Sequence, residues 1–252
     1  MVEHSLWERD VAGSNPVIPT LDIKDMIHTD VKDVSKINRF SPRGGYLAET
    51  IPDEIYDILI SESEKAKNNE LLMTDKLIGN LEESYDLMGM PFYKFEKFER
   101  YMVHLCSEYE QEFNLMKMYP IISSSKSLSL SLKMLWVNYQ KKYEFNPVHN
   151  HTGLYSFVIW LKIPYSCRED EFQVKRGNPK EKYPGTFNFF FPNGVGDIEE
   201  DTIELDSSWE KTILVFPSTL KHCVYPFYTS DDYRISVSGN FYLDVQNGYE
   251  TY

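Results

Sequence analysis

The spacing of apolar side chains predicts two helices in the first half of the chain. Pro52 suits a first helical position, and an apolar stripe at three- and four-residue steps predicts a helix from Pro52 to about Lys67. A longer stripe predicts a second helix over Phe92–Met118, which Pro120 ends. The members of this second stripe are Phe95, Phe98, Met102, Leu105, Tyr109, Phe113 and Met116.

After Tyr119 the apolar period changes to two, which is typical of strands with one buried face. The first alternating residues are Leu128, Leu130, Leu132, Met134 and Trp136, with serines and a lysine between them. Five later segments are short, rich in aromatic and β-branched residues, and bounded by turn residues. They predict strands at Tyr155–Leu161, Thr186–Phe191, Thr212–Phe216, Cys223–Phe227 and Arg234–Tyr242.

Helices that precede a run of strands indicate helices packed against an antiparallel sandwich or barrel. We therefore predict a mainly β fold with α, in one structural domain. Residues 1–120 would form an N-terminal extension with supporting helices, and residues 121–252 would form the β core.

Composition excludes several function classes. The 252 residues carry a formal net charge of −13, which argues against nucleic acid and against an anionic membrane as partners. Apolar residues make up 42% of the chain, yet no apolar run approaches the ~20 residues that span a bilayer, and no secretory leader is evident at Met1–Thr20. The three cysteines are widely spaced, so we expect no disulfides and a cytoplasmic location.

Three of the six histidines fall in a pattern that can bind one metal ion. His149 and His151 are two residues apart in an extended segment, so both side chains can point to one face. His222 follows the end of an apolar strand at Phe216-Pro217-Ser218 and can close the set from a later strand. Neutral imidazoles bind Fe(II), Zn, Cu, Co and Ni. We predict His149, His151 and His222 as metal ligands of a catalytic centre; the alternative is a surface H-x-H with an unrelated His222.

A polar strand face lies twelve residues beyond His222. Arg234, Ser236, Ser238 and Asn240 alternate and therefore share one side of the strand. A buried guanidinium requires an anion, and its planar fork matches a carboxylate, to which a nearby hydroxyl can add a hydrogen bond. The alternative is a salt bridge from Arg234 to Asp231, Asp232 or another acid.

Together these residues resemble the Fe(II)- and 2-oxoglutarate-dependent oxygenases. The likeness is to prolyl-hydroxylase-like members, especially a group carried by bacteria and tailed phages, and it runs from about Trp136 to Leu243. It rests on Trp136-Val137-Asn138-Tyr139, on His149-Asn150-His151-Thr152-Gly153, on Phe216-Pro217-Ser218 with His222, and on Arg234-Ile235-Ser236. The resemblance implies a double-stranded β-helix (a jelly-roll or cupin-like barrel) with the N-terminal helices packed outside. It also implies Fe(II) and 2-oxoglutarate as cofactors.

The resemblance also implies roles for single residues. His149 and His222 match the two metal histidines of the family, and His151 stands at the position of its carboxylate ligand. Arg234 and Ser236 match the residues that hold the distal carboxylate of 2-oxoglutarate. Tyr139 resembles a strand tyrosine that contacts this co-substrate, with Tyr155 as an alternative.

The implied activity is a dioxygenase that uses molecular oxygen to hydroxylate an unactivated C–H bond. The substrate would be a prolyl residue, another amino acid or peptide, or a small molecule. Because His151 replaces a carboxylate, several alternatives stay open: weak iron binding, a halogenase-like open position, a three-His cupin-type dioxygenase that does not use 2-oxoglutarate, or a non-catalytic metal-binding module. A loop over Cys167–Gly185 forms either a lid or a solvated surface. The location would be the host cytoplasm if a phage encodes the chain.

Overall fold

A computed structural model describes residues 36–41, 44–74, 77–119, 127–173 and 183–246. Within these residues the helices are α1 (Asp53–Asn68), α2 (Phe92–Phe113) and α3 (Cys167–Gln173). The strands are β1 (Lys36–Ser41), β2 (Gly44–Thr50), β3 (Ser84–Asp86), β4 (Ser127–Gln140), β5 (Asn146–His149), β6 (Tyr155–Lys162), β7 (Phe187–Pro192), β8 (Ile198–Ile203), β9 (Thr212–Pro217), β10 (Lys221–Val224) and β11 (Arg234–Gln246).

The strands form two antiparallel sheets. The larger sheet has seven strands in the order β1-β2-β9-β6-β11-β4-β3, and the smaller sheet has four in the order β5-β10-β7-β8. Aromatic and aliphatic side chains of both sheets, such as Trp160, Phe187 and Phe216, form one core between them. Helices α1 and α2 cover the opposite face of the larger sheet, where Phe98 and Tyr109 pack with Val137. This is the double-stranded β-helix with outer helices that the sequence predicted.

The N-terminal part contributes strands as well as helices. Strand β2 pairs with β1 on one side and with β9 on the other, so both strands belong to the larger sheet. The sequence did not predict β1, β2, β3, β5 or β8. Residues 1–35 lie outside the described part of the chain, and a division at residue 120 stays a prediction.

The predicted helices are present with one difference. Helix α2 ends at Phe113 because Asn114 adopts a left-handed conformation (φ 51°, ψ 44°), which asparagine tolerates and which stops an α-helix. The predicted continuation to Met118 is a separate 3-10 turn over Leu115–Met118. None of the helices in the described residues is both long and apolar enough to span a bilayer.

The edges of the smaller sheet are β5 and β8. Strand β8 carries exposed Glu199 and Glu200 along its length. Strand β5 is flanked on its outer side by a chain segment before β3, through a bridge between Asn80 and Phe145. The two edges therefore have different surroundings.

A half-buried carboxylate, that of Glu83, connects the chain before β3 to the larger sheet. Glu83 receives hydrogen bonds from Lys67 (2.6 Å), Lys141 (3.1 Å) and the Tyr233 hydroxyl (2.6 Å). The Lys67 ammonium also lies 4.3 Å from the ring centre of Tyr139 and 4.0 Å from that of Tyr233. Burial alone would raise the pKa of Glu83, but these hydrogen bonds outweigh it and hold the pKa at about 2.

We expect Glu83→Gln to lower the free energy of unfolding by about 2 to 3 kcal/mol at pH 7. The pKa of Glu83 is lowered in the folded state, so its contribution is complete above its ordinary value of 4.5 and is lost as pH falls toward about 2. The difference in the free energy of unfolding between wild type and Glu83→Gln should therefore be smaller at pH 3 than at pH 7 by about half or more. Urea unfolding at both pH values measures it. Glu82→Gln is the control, because the Glu82 side chain is 75% exposed; an equal loss for Glu83→Gln at both pH values would contradict the electrostatic role.

Candidate active site

Pairing between β5 and β10 brings two of the predicted metal ligands together. His149 lies directly opposite His222 in the antiparallel ladder. His151 follows β5, and its backbone N–H donates to the carbonyl of Ser218 (2.8 Å), which ties the loop after β5 to the turn before β10. One ligand atom from each of the three imidazoles lies within 4.8 Å of the others.

Backbone carbonyls decide which ring nitrogen of two histidines is free. Nδ1 of His149 lies 2.7 Å from the carbonyl oxygen of Pro147, and Nδ1 of His222 lies 3.0 Å from that of Leu220. A carbonyl only accepts, so each Nδ1 must carry the proton and each Nε2 must present its lone pair. This is how proteins commonly orient metal-binding histidines.

The spacing of the ring nitrogens suits a shared ion. Nε2 of His151 lies 3.2 Å from Nε2 of His222. Two nitrogens that bind one ion at right angles, each at about 2.1 Å, are about 3 Å apart. No carboxylate joins the three imidazoles within the residues that the structure describes. The donor set therefore fits a mononuclear ion of the kind that imidazole prefers, Fe(II) among them.

The three imidazoles are uncharged at neutral pH. Burial lowers the pKa of His151 to about 3, with a smaller effect from His149, and lowers the pKa of His222 well below its usual range. Burial also lowers the pKa of His149, although the Pro147 carbonyl acts in the opposite direction. Neutral rings can bind a cation without first losing a proton.

The larger sheet supplies a polar wall that faces the same cavity. Antiparallel pairing between β4 and β11 places Arg234 opposite Gln140, and Ser236 opposite Asn138. These four side chains line a cavity of about 250 Å³ together with the three histidines. The predicted common face of β11 is thus present, because Ser238 and Asn240 also line the cavity.

Arg234 is buried, at 2% exposure, without an acidic partner. Its Nη1 donates to the Tyr165 hydroxyl (2.6 Å) and its Nη2 donates to Oε1 of Gln140. Asp231 and Asp232, which the sequence left open as partners, form ion pairs with surface lysines instead. No acid of the described ranges forms an ion pair with Arg234. A buried guanidinium with only neutral partners is prepared for an anionic ligand.

The predicted contact of Tyr139 with the co-substrate is wrong. Side chains alternate along β4, and since Asn138 and Gln140 face the cavity, Tyr139 must face the helices. Its ring packs edge-on against Tyr85 at 5.8 Å. The alternative, Tyr155, also faces the helices, where its hydroxyl donates to Glu110 (2.8 Å).

Two residues near Arg234 were not predicted. Gln140 has the same strand parity as Trp136, so the alternating pattern contained a signal for it. Tyr165 follows β6 and carried no sequence signal; its hydroxyl accepts from Arg234 and donates to the carbonyl of Gly185 (2.8 Å). Burial raises the pKa of Tyr165 to about 12, against a lowering by Arg234, so its proton stays in place.

A segment before β3 forms part of the cavity mouth. Leu77, Ile78, Gly79 and Leu81 line the cavity together with the histidines and the polar wall. In the predicted lid over Cys167–Gly185, α3 occupies the first seven residues, while residues 174–182 lie outside the described part of the chain. That lid stays a prediction.

Comparison with known proteins gives a family for the β core. Residues 134–240 match a family model described as "Putative 2OG-Fe(II) oxygenase". No curated protein matches the chain. The matched range contains the second half of β4, all of β5 and β10, and the polar face of β11, and therefore both the histidine cluster and Arg234.

Solved structures with a similar arrangement include other oxygenases. A prolyl-4-hydroxylase from Pseudomonas putida aligns with 16% identity over 81% of this chain and 94% of its own, at a TM-score of 0.49. HygX from Streptomyces hygroscopicus, solved with nickel, 2-oxoglutarate and hygromycin B bound, aligns with 11% identity over 79% and 83%, at a TM-score of 0.44. Because these scores are below 0.5, the likenesses carry no argument about the substrate of this chain.

The fold and the family match define the class of the β core. Residues 134–240 match a 2-oxoglutarate- and Fe(II)-dependent oxygenase, and the oxygenase resemblance predicted from the sequence is confirmed. Fe(II) and 2-oxoglutarate are the cofactors of the class, and the three neutral imidazoles fit the metal.

We expect the protein to bind one Co(II) per chain, and His222→Ala or His149→Ala to weaken this binding by more than about 100-fold. Removing a residue that is hydrogen-bonded to a metal ligand already lowers the metal affinity 10- to 100-fold, so removing the ligand itself should lower it further. His151→Asp should keep the ion, because two histidines and a carboxylate form a common iron site. Anaerobic titration followed by visible absorption measures this. His104→Ala, on the exposed side of α2, is the control; unchanged binding by His222→Ala would contradict the assignment.

Proposed function

We propose that this protein hydroxylates an unactivated C–H bond, with His149, His151 and His222 holding Fe(II). Arg234 and Ser236 would hold the distal carboxylate of 2-oxoglutarate. One observation supports this above the others: a buried guanidinium without an acidic partner lines the same cavity as three converging neutral imidazoles. The cavity thus combines a binding site for a cation at the three histidines, which we call the metal seat, with a binding site for an anion at Arg234, which we call the anion seat.

The bound iron and 2-oxoglutarate would supply the activation of molecular oxygen. The protein contributes orientation and exclusion of water. Tyr165 and Gln140 hold the guanidinium from two sides, so that its free edge can meet a carboxylate in a fixed orientation. Around the metal seat, Trp136, Phe187 and Phe216 form an apolar lining that keeps bulk water out.

The cavity chemistry favours an uncharged reacting group. Within the described residues, Arg234 is the one charged side chain in the lining at neutral pH, and no aspartate or glutamate is present there to receive a cation. The amides of Asn138 and Asn240 offer neutral hydrogen-bonding groups beside the metal seat. A prolyl residue, another neutral amino-acid residue of a peptide, or a neutral small molecule agrees with this lining.

A three-His dioxygenase that does not use 2-oxoglutarate is the second candidate. The absence of a carboxylate among the three ligands favours it, because three neutral donors leave the ion more positive than two histidines with a carboxylate. Arg234 argues against it, because its bonds to Tyr165 and Gln140 are to neutral groups, no acid of the described residues forms an ion pair with it, and such an enzyme has no diacid to place on the guanidinium. A non-catalytic metal-binding module is the third reading.

The cellular setting also stays a proposal. All three cysteines are free and buried, which suits a reducing cytoplasm. The comparisons do not bear on a phage origin, which remains a prediction from the sequence resemblance.

We expect 2-oxoglutarate to bind the anaerobic Fe(II) protein, and Arg234→Gln to weaken this binding by more than about 30-fold. Removing the charged partner of a carboxylate in a closed site costs about 2 kcal/mol or more. Calorimetric titration measures the affinity, and Fe(II)-dependent release of succinate measures the turnover. Arg168→Gln is the matched control, because its side chain is 83% exposed.

The outcomes separate the three candidates. Binding of metal without any binding of 2-oxoglutarate would favour the three-His dioxygenase. Binding of both without succinate release, across a panel of neutral peptides and small molecules, would favour the non-catalytic module. Loss of affinity in Arg168→Gln equal to that in Arg234→Gln would contradict the seat assigned to the anion.

A further inference from the structure

Glu144 is a buried acid that binds backbone groups of two separate chain segments. It lies in the turn between β4 and β5 and is 9% exposed. Its Oε1 accepts from the N–H of Glu82 (3.1 Å), and its Oε2 accepts from the N–H of Lys141 (2.7 Å). A carboxylate that binds two N–H groups 59 residues apart in sequence, at 82 and 141, holds both segments in one place.

The backbone of Glu144 reaches the anion seat through one side chain. Its carbonyl accepts from Nε2 of Gln140 (2.6 Å), and Oε1 of Gln140 accepts from Arg234. The guanidinium can only donate and the carbonyl can only accept, so the orientation of the Gln140 amide is determined. Gln140 is 3% exposed, and both ends of its amide are hydrogen-bonded.

The other side of Glu144 reaches the mouth of the cavity. We call residues 77–83 the mouth segment. Besides the bond from Glu82, the N–H of Asn80 donates to the carbonyl of Phe145 (2.8 Å). Gly79 packs so closely on Asn146 that an added Cβ would lie 2.0 Å from its Oδ1. Three consecutive residues, 144 to 146, therefore hold the mouth segment, whose Leu77, Ile78, Gly79 and Leu81 line the cavity.

We propose that Glu144 is a positioning residue that couples the anion seat at Arg234 to the mouth segment. This inference rests on the proposed function, since 2-oxoglutarate is the anion. When the diacid fixes the guanidinium, Gln140 and the turn at Glu144 are fixed with it, and the mouth segment is held more firmly. By thermodynamic reciprocity, loosening the mouth segment must weaken the binding of 2-oxoglutarate.

Two variants break the link at different points. Glu144→Gln removes the charge and leaves one acceptor oxygen for two N–H groups. Gly79→Ala places a methyl group 2.0 Å from Oδ1 of Asn146, so that the Asn146 side chain or the mouth segment must shift, while Glu144, Gln140 and Arg234 keep their side chains. The control is Glu99→Gln, because Glu99 is also a buried acid (8% exposed) that accepts a backbone N–H from β4, at Leu132 (3.0 Å), but on the helix side of the sheet.

The experiment combines hydrogen exchange with kinetics on the anaerobic and the aerobic Fe(II) protein. In the wild type, 2-oxoglutarate should slow amide exchange in the mouth segment, including the amide of Glu82. In Glu144→Gln and Gly79→Ala this slowing should be lost. The KM for 2-oxoglutarate in succinate release should rise roughly 5- to 20-fold while kcat changes by less than about 2-fold. Glu99→Gln should behave as wild type in both measurements.

Each outcome decides a different point. If the wild type binds 2-oxoglutarate but Glu144→Gln and Gly79→Ala keep its KM and its effect on exchange, the coupling is disproved and the proposed function stands. If the wild type does not bind 2-oxoglutarate, the coupling through Glu144 and the proposed function are both disproved. If Glu144→Gln does not fold, Gly79→Ala decides, and an equal rise in KM for Glu99→Gln would show that the effect is only one of general stability.

Discussion

Antiparallel pairing between β4 and β11 is the constraint on which the cavity depends. Because side chains alternate along each strand and the two strands are in register, one choice of face sends Arg234, Ser236, Asn138 and Gln140 into the cavity together. The same choice sends Tyr139 and Val137 to the helices. A register shift of one residue would exchange the two sets and would place a tyrosine where the anion seat now lies.

The smaller sheet imposes a second constraint, which determines where the protons lie on the imidazole rings of the histidine cluster. The Nδ1–H groups of His149 and His222 donate hydrogen bonds to the carbonyls of Pro147 and Leu220. The Nε2 atoms of these two neutral rings can therefore only accept. Burial keeps all three rings neutral. The centre therefore lacks the negative charge that a carboxylate ligand would bring, and an anionic co-substrate becomes the nearest source of compensating charge.

The sequence predicted the parts of the site that depend on local spacing. The alternating face of β11 follows from the strand period, and the structure places it as that period requires. The H-x-H pair also converges with His222, although β5 ends at His149 and His151 lies in the loop that follows. The same period could have shown that Tyr139 faces away from the cavity, because Tyr139 and Trp136 differ in parity along β4. The sequence alone did not show which face of β4 the helices cover. The link from Arg234 through Gln140 to Glu144 was not predictable, because it depends on pairing between residues ninety-four positions apart.

The two edges of the smaller sheet differ in how they resist the addition of a foreign strand. Exposed acids along β8 repel another copy of this acidic chain. Strand β5 has no such charges and is shielded by its bridge to Asn80. A truncation that removed this shield would leave a short, open backbone edge next to the histidine cluster, and would thus create an aggregation risk beside the cavity.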